Sequence, residues 1–368
     1  MFDDIFNNDF FKEEEEEELY PDFFYKWDEA VKSGKNPGYY EQEELTDIID
    51  IYIANNDIGR AKHAIDYAMN IYSEDEELIY EILLLLNDYE RWNELLYICE
   101  KYKEEAYIYG DGHKLAALLH LGMEDEAFLY FRKLKVKYAK DKEELSIIYQ
   151  SMGEALHDVD LFDSALALVR EGLELFGENV DLYWIQIQCY LSLDEKDKVI
   201  ALAERIQKLK PLDAESWHRQ GIIFEEIEDY EKSIDALENA QSLGYESPNN
   251  LLHLIHAYGN NNNYTKALEK VKEFINLYPD NYLINLIAAK LCSHIEDWKE
   301  ALKYIDEAIK LMPDVDSLYI YKSKFLMNMD DLKKAKLALI EGIGATDDPG
   351  GELKKELGRL DDLFLGSR

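Results

Sequence analysis

The chain has 368 residues, of which 78 are Asp or Glu and 40 are Lys or Arg, so its formal net charge is −38. Apolar residues make up 47% of the sequence, which excludes wholesale disorder. The charge excludes nucleic acid and anionic membrane as expected partners, because a surface that neutralises phosphate needs an excess of Lys and Arg.

The first segment, residues 1–41, is an acidic arm that contains six consecutive glutamates, Glu13–Glu18. Like charges in such a run repel each other and favour a solvated, partly disordered segment. Aromatic residues surround the glutamates, which suggests that the arm docks onto the rest of its own chain. The last part of the arm, Asp22–Lys32, favours a short helix that caps the structure that follows.

From residue 42 onwards, one pattern of apolar and small residues recurs every 34 residues. The unit that starts at Ala214 shows it at positions 4, 8, 11, 17, 20, 24 and 27, with Trp217, Gly221, Phe224, Tyr230, Ser233, Leu237 and Ala240. The first three positions share one face of a first helix, and the last three share one face of a second helix. Small residues at positions 8 and 20 let the two helices approach closely.

The register predicts nine units. Six follow each other without a gap, at 146–179, 180–213, 214–247, 248–281, 282–315 and 316–349. The units at 42–75 and 76–109 follow it more loosely, and the unit near 108–141 needs a shift of two residues and then four extra residues before residue 146. The end of the chain, 350–368, carries leucines on one stripe, which predicts a capping helix and a tail.

This arrangement resembles the tetratricopeptide repeat family, and the acidic composition is similar to that of bacterial members of uncharacterised function. The resemblance covers residues 42–349. It implies an all-α fold, an α-solenoid with a right-handed superhelix of about nine helix-turn-helix units. It also implies a non-enzymatic scaffold that binds a peptide or a helix of a partner protein in a concave groove.

In this family, positions 2, 5, 6, 9, 12 and 13 of the first helices line the groove. Seven of the eight histidines fall at such positions, which suggests a recognition surface: His113, His120, His157, His218, His253, His256 and His294. The predicted peptide-binding residues are Trp184, Gln188, His218, Arg219, His253, His256, Lys290, His294, Tyr321 and Lys324. Trp184 is expected to be exposed and to be the main anchor, because aromatic side chains dominate recognition energies.

No catalytic residues, cofactor or metal site are expected. The sequence has no Gly-rich phosphate loop after a strand pattern, no GxSxG and no HExxH. His253 and His256 lie three residues apart on one predicted helix, but no Cys or well-placed carboxylate completes a ligand set. The Lys, Asn and Arg set with which chaperone-binding family members hold a C-terminal carboxylate is also not found.

Two alternatives to a peptide-binding scaffold remain open. In the first, the arm or the helix at 352–365 mediates self-association, and the chain is a structural protein. In the second, the chain binds its partner through the histidines, and binding responds to pH or metal ions. A cytoplasmic location is expected, because the start of the chain lacks the pattern of a secretory signal and the three cysteines form no even-numbered framework.

Overall fold

The computed structural model describes residues 20–72, 75–102, 107–346 and 351–366, which form twenty α-helices and no strand. In chain order they are α1 (Asp22–Lys32), α2 (Gln42–Ala54), α3 (Ile58–Ile71), α4 (Glu76–Asp88), α5 (Trp92–Lys101), α6 (Tyr107–His120), α7 (Glu124–Lys137), α8 (Lys142–Asp158), α9 (Phe162–Phe176), α10 (Val180–Ser192), α11 (Lys196–Leu209), α12 (Ala214–Glu226), α13 (Tyr230–Ser242), α14 (Pro248–Asn260), α15 (Tyr264–Leu277), α16 (Tyr282–His294), α17 (Trp298–Leu311), α18 (Asp316–Asn328), α19 (Leu332–Ala345) and α20 (Glu352–Gly366).

Helices α2 to α19 form nine successive pairs, in which the first helix of each pair contacts the second. Each pair also packs on the next pair within the same compact unit, so the bare apolar face of one hairpin is covered by its neighbour. The chain divides into two such units, one ending at Leu209 and the other beginning at Lys210. The prediction of an all-α repeat fold built from helix pairs is confirmed.

The first helix, α1, occupies the range that the sequence predicts and packs on α2. Trp27 is fully buried, and the rings of Phe24 and Tyr52 lie 5.3 Å apart. The Tyr52 hydroxyl donates a hydrogen bond of 3.0 Å to Asp28 Oδ1. The run of glutamates and the predicted docking of the arm lie outside the described residues.

A residue in the left-handed backbone conformation follows the first helix in eight of the pairs. These residues follow the repeat register, with φ between 53° and 64°: Asn56, Glu90, Asp160, Asp194, Glu228, Asn262, Glu296 and Asp330. In the third pair, Gly122 takes this role, 32 residues after Glu90 and 38 before Asp160. These two separations correspond to the shift of two residues and the four extra residues that the sequence register requires.

The close approach of paired helices is clearest at Gly221 on α12. A Cβ atom at this position would lie 2.5 Å from the Leu237 side chain on α13, and Leu237 is fully buried. The hydrogen atom of glycine is therefore what lets α12 and α13 pack at this distance.

Among the helices of the described ranges, none is both long enough and apolar enough to cross a membrane.

Candidate functional site

The predicted binding residues divide between the two compact units. Trp184 and Gln188 lie on α10, in the unit that ends at Leu209, and the other eight lie in the unit that begins at Lys210. Gln188 and Arg219 are exposed, as expected for groove residues.

Trp184 contradicts the sequence prediction, because only 4% of its surface is exposed. Helix α10 packs against α8, α9 and α11, and it buries residues on several faces rather than on one stripe. Positions on α10 that would be exposed in an isolated helix pair are covered when α10 also packs on the two helices of the preceding pair. The expectation of an exposed anchor at Trp184 is therefore wrong.

Several histidine rings pack on aromatic residues that begin the second helix of the preceding pair. His294 stacks on Tyr264 with ring centroids 4.7 Å apart and planes 10° apart. His120 stacks in the same way on Trp92, at 3.9 Å and 2°. These contacts join consecutive pairs, so part of the histidine excess has a packing role.

His218 is also buried, with 6% of its surface exposed, which corrects its prediction as a groove residue. Its Nδ1 donates a hydrogen bond of 2.9 Å to Asn250 Oδ1, and its ring stacks on Tyr245 at 4.4 Å. Asn250 in turn donates to the carbonyl oxygen of Leu237. Burial lowers the pKa of His218, which keeps the imidazole neutral in this packed position.

Glu225, at the end of α12, is a buried carboxylate, with 9% of its surface exposed. It accepts a hydrogen bond of 2.7 Å from His253 Nδ1 and another from His256 Nδ1. Burial alone would raise the pKa of Glu225, but the two histidine hydrogen bonds outweigh burial and lower it. The His253-x-x-His256 spacing therefore serves to hold one carboxylate of the preceding pair.

The hydrogen bonds fix the tautomer of His256. Its Nδ1 donates to Glu225, and its Nε2 accepts a hydrogen bond of 2.9 Å from Asn260 Nδ2. Both ring nitrogens of His256 are thus engaged by protein groups. Within the described ranges, no three His, Cys, Asp or Glu side chains come together in a way that could hold a metal ion.

Lys290, Tyr321 and Lys324 form a separate group on α16 and α18, which we call the lysine–tyrosine patch. The Lys290 Nζ lies 4.6 Å from the centre of the Tyr321 ring, and the Lys324 Nζ lies 5.5 Å from it. In the part of the chain that the structure describes, neither ammonium group has a carboxylate within 4.0 Å. The sequence predicted all three residues, and the structure brings them together.

A cavity of about 200 Å³ adjoins the patch, between α18, α19 and α20. Lys324 lines both features, and Arg359 and Glu356 lie at the side formed by α20. The rest of the lining is mainly apolar, with Ile320, Met327, Leu339 and Leu360. Periodicity could not reveal this cavity, because it depends on how α20 lies across the last pair.

No family model and no curated protein matches the chain. Among solved structures, the C-terminal part of a TPR repeat-containing protein from Cytophaga hutchinsonii is 16% identical, with 65% of this chain and 95% of that chain covered and a TM-score of 0.52. A tetratricopeptide repeat protein from Parabacteroides merdae is 14% identical over 74% of this chain and 98% of its own, with a TM-score of 0.42. MamA from Desulfovibrio magneticus is 14% identical over 46% and 96%, with a TM-score of 0.40. The helix pairs, their register and the first of these similarities give the chain the fold of the tetratricopeptide repeat proteins.

Proposed function

We propose that the chain is a non-enzymatic scaffold that binds an acidic segment of a partner protein at the lysine–tyrosine patch. The observation that carries this proposal is the placement of two lysine ammonium groups around the Tyr321 ring. Carboxylates of the partner would pair with the two ammonium groups, and the tyrosine ring would give the contact an apolar base. Repeat folds suit this role, because their stacked helices build extended binding surfaces.

The neighbouring cavity supports the same proposal. Its apolar lining and its volume of about 200 Å³ suit one aliphatic or aromatic side chain. Because Lys324 borders the cavity, a partner segment would place an acidic residue at the patch and an apolar residue beside it. An apolar anchor in a pocket with a charged contact at its edge is the usual arrangement of a binding hot spot.

The net charge of −38 does not exclude an acidic partner. At an ionic strength near 0.15 M the Debye length is about 8 Å, so the lysines at the contact outweigh carboxylates that lie several Debye lengths away. The overall charge instead slows association of an acidic partner at low salt.

We also propose a reducing compartment, the cytoplasm, for this function. Cys99, Cys189 and Cys292 are buried with free thiols. Burial raises the pKa of these thiols, to about 12 at Cys99 and about 11 at the other two, so they react poorly with oxidants. Three buried thiols are compatible with a compartment in which disulfides do not form.

The experiment captures partners from a lysate of the source cell with the full chain and with a Lys290→Ala, Lys324→Ala double variant. We expect the double variant to lose a partner that the wild-type chain retains, and to bind the purified partner at least about tenfold more weakly. Substitution of Trp184 or His218 would test packing rather than binding, since both are buried.

The control variant is Lys303→Ala with Lys310→Ala, which changes the net charge by the same amount. Both control lysines lie on α17, with side chains 72% and 67% exposed, and each pairs with a glutamate three residues away. Equal binding by the patch variant and the control variant would contradict the proposal.

A further inference from the structure

The unit that ends at Leu209 contains a second cavity, of about 300 Å³, where the first helices of three successive pairs lie side by side. Helix α6 contacts both α4 and α8. The side chains that line the cavity come from one face of each helix: Tyr80, Leu84 and Asn87 from α4, Ile108, Tyr109, Gly112, His113 and Ala116 from α6, and Ile147, Ser151, Glu154, Ala155 and Asp158 from α8.

Two tyrosines form one side of this cavity. The rings of Tyr80 and Tyr109 lie 4.7 Å apart with their planes inclined by 41°, and Tyr109 is 49% exposed. His113 lies beside them, with its ring centre 6.3 Å from that of Tyr80. Burial lowers the pKa of His113, so this ring adds no positive charge to the cavity at neutral pH.

Two carboxylates line the cavity from α8. Glu154 and Asp158 lie one turn apart on α8, and both are exposed. Gln150 Nε2 donates to Glu154 Oε1 at 2.9 Å, and His157 Nδ1 lies 3.2 Å from Asp158 Oδ1. The contact at Asp158 uses one acceptor site, and a carboxylate has about four. Among the described residues that line the cavity there is no Lys or Arg, so this part of the lining carries negative charge.

We propose that this cavity binds the guanidinium group of an arginine in a second protein partner. A guanidinium stacks on aromatic rings and, at the same time, donates forked hydrogen bonds to carboxylates. The tyrosine pair and the two carboxylates offer these two contacts in the lining of one cavity. A lysine ammonium is more strongly hydrated and presents no flat face, so it fits this arrangement less well.

The rim of the cavity indicates the surroundings of that arginine. Leu84 and Ile147 lie at this rim and are 37% and 39% exposed. They offer apolar contacts to the residues that flank the arginine. The volume lies at the lower end of the range for ligand pockets, roughly 300–1,000 Å³, and is suited to one side chain of a peptide. This site goes beyond the proposed function, because it lies in the other compact unit and selects the opposite charge.

The test uses isothermal titration calorimetry with the full chain at about 0.15 M ionic strength, where long-range attraction to an acidic protein is screened. The probe is the acetylated and amidated pentapeptide Leu-Ala-Arg-Ala-Leu. Two further peptides replace arginine by citrulline, which keeps the shape without the charge, or by lysine, which keeps the charge without the planar fork. We expect the arginine peptide to bind at least about tenfold more tightly than either one.

A Glu154→Gln, Asp158→Asn double variant should lose at least about tenfold in affinity for the arginine peptide. The matched control, Asp197→Asn with Glu204→Gln, removes two exposed carboxylates from α11 and should bind as the wild type does. A Tyr80→Leu, Tyr109→Leu variant, with folding checked by its melting temperature, should also bind more weakly.

Three results would overturn the assignment: no binding of the arginine peptide, equal binding of the citrulline or lysine peptide, or an equal loss in the control variant. The Lys290→Ala, Lys324→Ala variant should keep its affinity for the arginine peptide. A failure of the proposed function at the lysine–tyrosine patch is therefore distinguishable from a failure of this inference.

Discussion

Glu225 and His253 meet across the junction between two consecutive helix pairs, with the carboxylate Oε2 2.7 Å from the ring Nδ1. His256 binds the other carboxylate oxygen through its own Nδ1. Removal of a carboxylate from water is costly unless hydrogen bonds compensate it, and here two imidazoles supply them. The junction between α12 and α14 is therefore held by a polar contact whose strength depends on the charge of Glu225.

A Glu225→Gln variant should be less stable at pH 7 by about 1.5–3 kcal/mol, because an amide cannot accept both charge-assisted hydrogen bonds. The pKa of Glu225 lies below its ordinary value near 4.5, so its contribution is present above that value and is lost as the pH falls through the lowered pKa. Urea unfolding from pH 7 down to pH 2 measures both effects, and the difference between wild type and variant should shrink once the pH falls below the lowered pKa of Glu225.

The neighbouring residue supplies the control. Glu226 is exposed on the same helix, and Glu226→Gln should change the free energy of unfolding by less than about 0.5 kcal/mol. A loss of stability as large for Glu226→Gln as for Glu225→Gln would mean that the net charge, and not the junction, is what matters.

His218 should make stability depend on pH in a different range. Burial lowers its pKa in the folded state below the ordinary value of 6.5, so the unfolded chain binds a proton that the folded chain does not. Stability contributed by the neutral ring is present above pH 6.5 and is lost as the pH falls below it, by up to about 1.4 kcal/mol per pH unit. The free energy of unfolding of a His218→Gln variant, measured from pH 7.5 to 5, should therefore fall less steeply than that of the wild type.

His294→Gln is the matched control for this experiment, because His294 is exposed. The slope of His218→Gln should be shallower than that of His294→Gln, because His218 is buried and His294 is exposed. An unchanged slope for His218→Gln would show that the ring of His218 takes up its proton equally in the folded and unfolded chains.

The repeat register predicted the helix pairs because each apolar stripe depends only on spacing within one unit. It could not predict which side chains meet between units. Trp184 stands at a position that is open in an isolated pair, yet it is buried in the folded chain. Glu225 falls at position 12 of the unit that starts at Ala214, which is a groove position, but nothing in the sequence indicated a contact with His253. Residue positions compared across consecutive units would have shown that a carboxylate late on one first helix precedes two histidines on the next.

Gly221→Ala should destabilise the protein by about 1–3 kcal/mol, because the added Cβ would meet the buried Leu237 side chain at 2.5 Å. Gly358 offers the same substitution in open space, since nothing lies within 4 Å of its added Cβ and it stands inside α20. There the change should raise stability by about 0.5–1 kcal/mol, the ordinary preference of a helix interior for Ala. Chemical unfolding of both variants checks the pair, and a stabilising Gly221→Ala would refute the close approach of α12 and α13.

Glu296 occupies the left-handed turn between α16 and α17, with φ at 59°. This conformation strains every residue with a Cβ atom by about 1–2 kcal/mol and does not strain glycine. Glu296→Gly should therefore stabilise the protein by up to about 1 kcal/mol, since the relief of strain exceeds the entropy that glycine adds to the unfolded chain.

The same substitution should have the opposite sign at Glu269, which is exposed inside α15 of the same compact unit. Glu269→Gly places glycine in a helix interior and should cost about 1 kcal/mol, with the same change in net charge. Urea unfolding midpoints of the two variants, measured side by side, decide the matter. If both variants were less stable than the wild type, the left-handed turn would be held by contacts of the Glu296 side chain rather than opposed by its backbone strain.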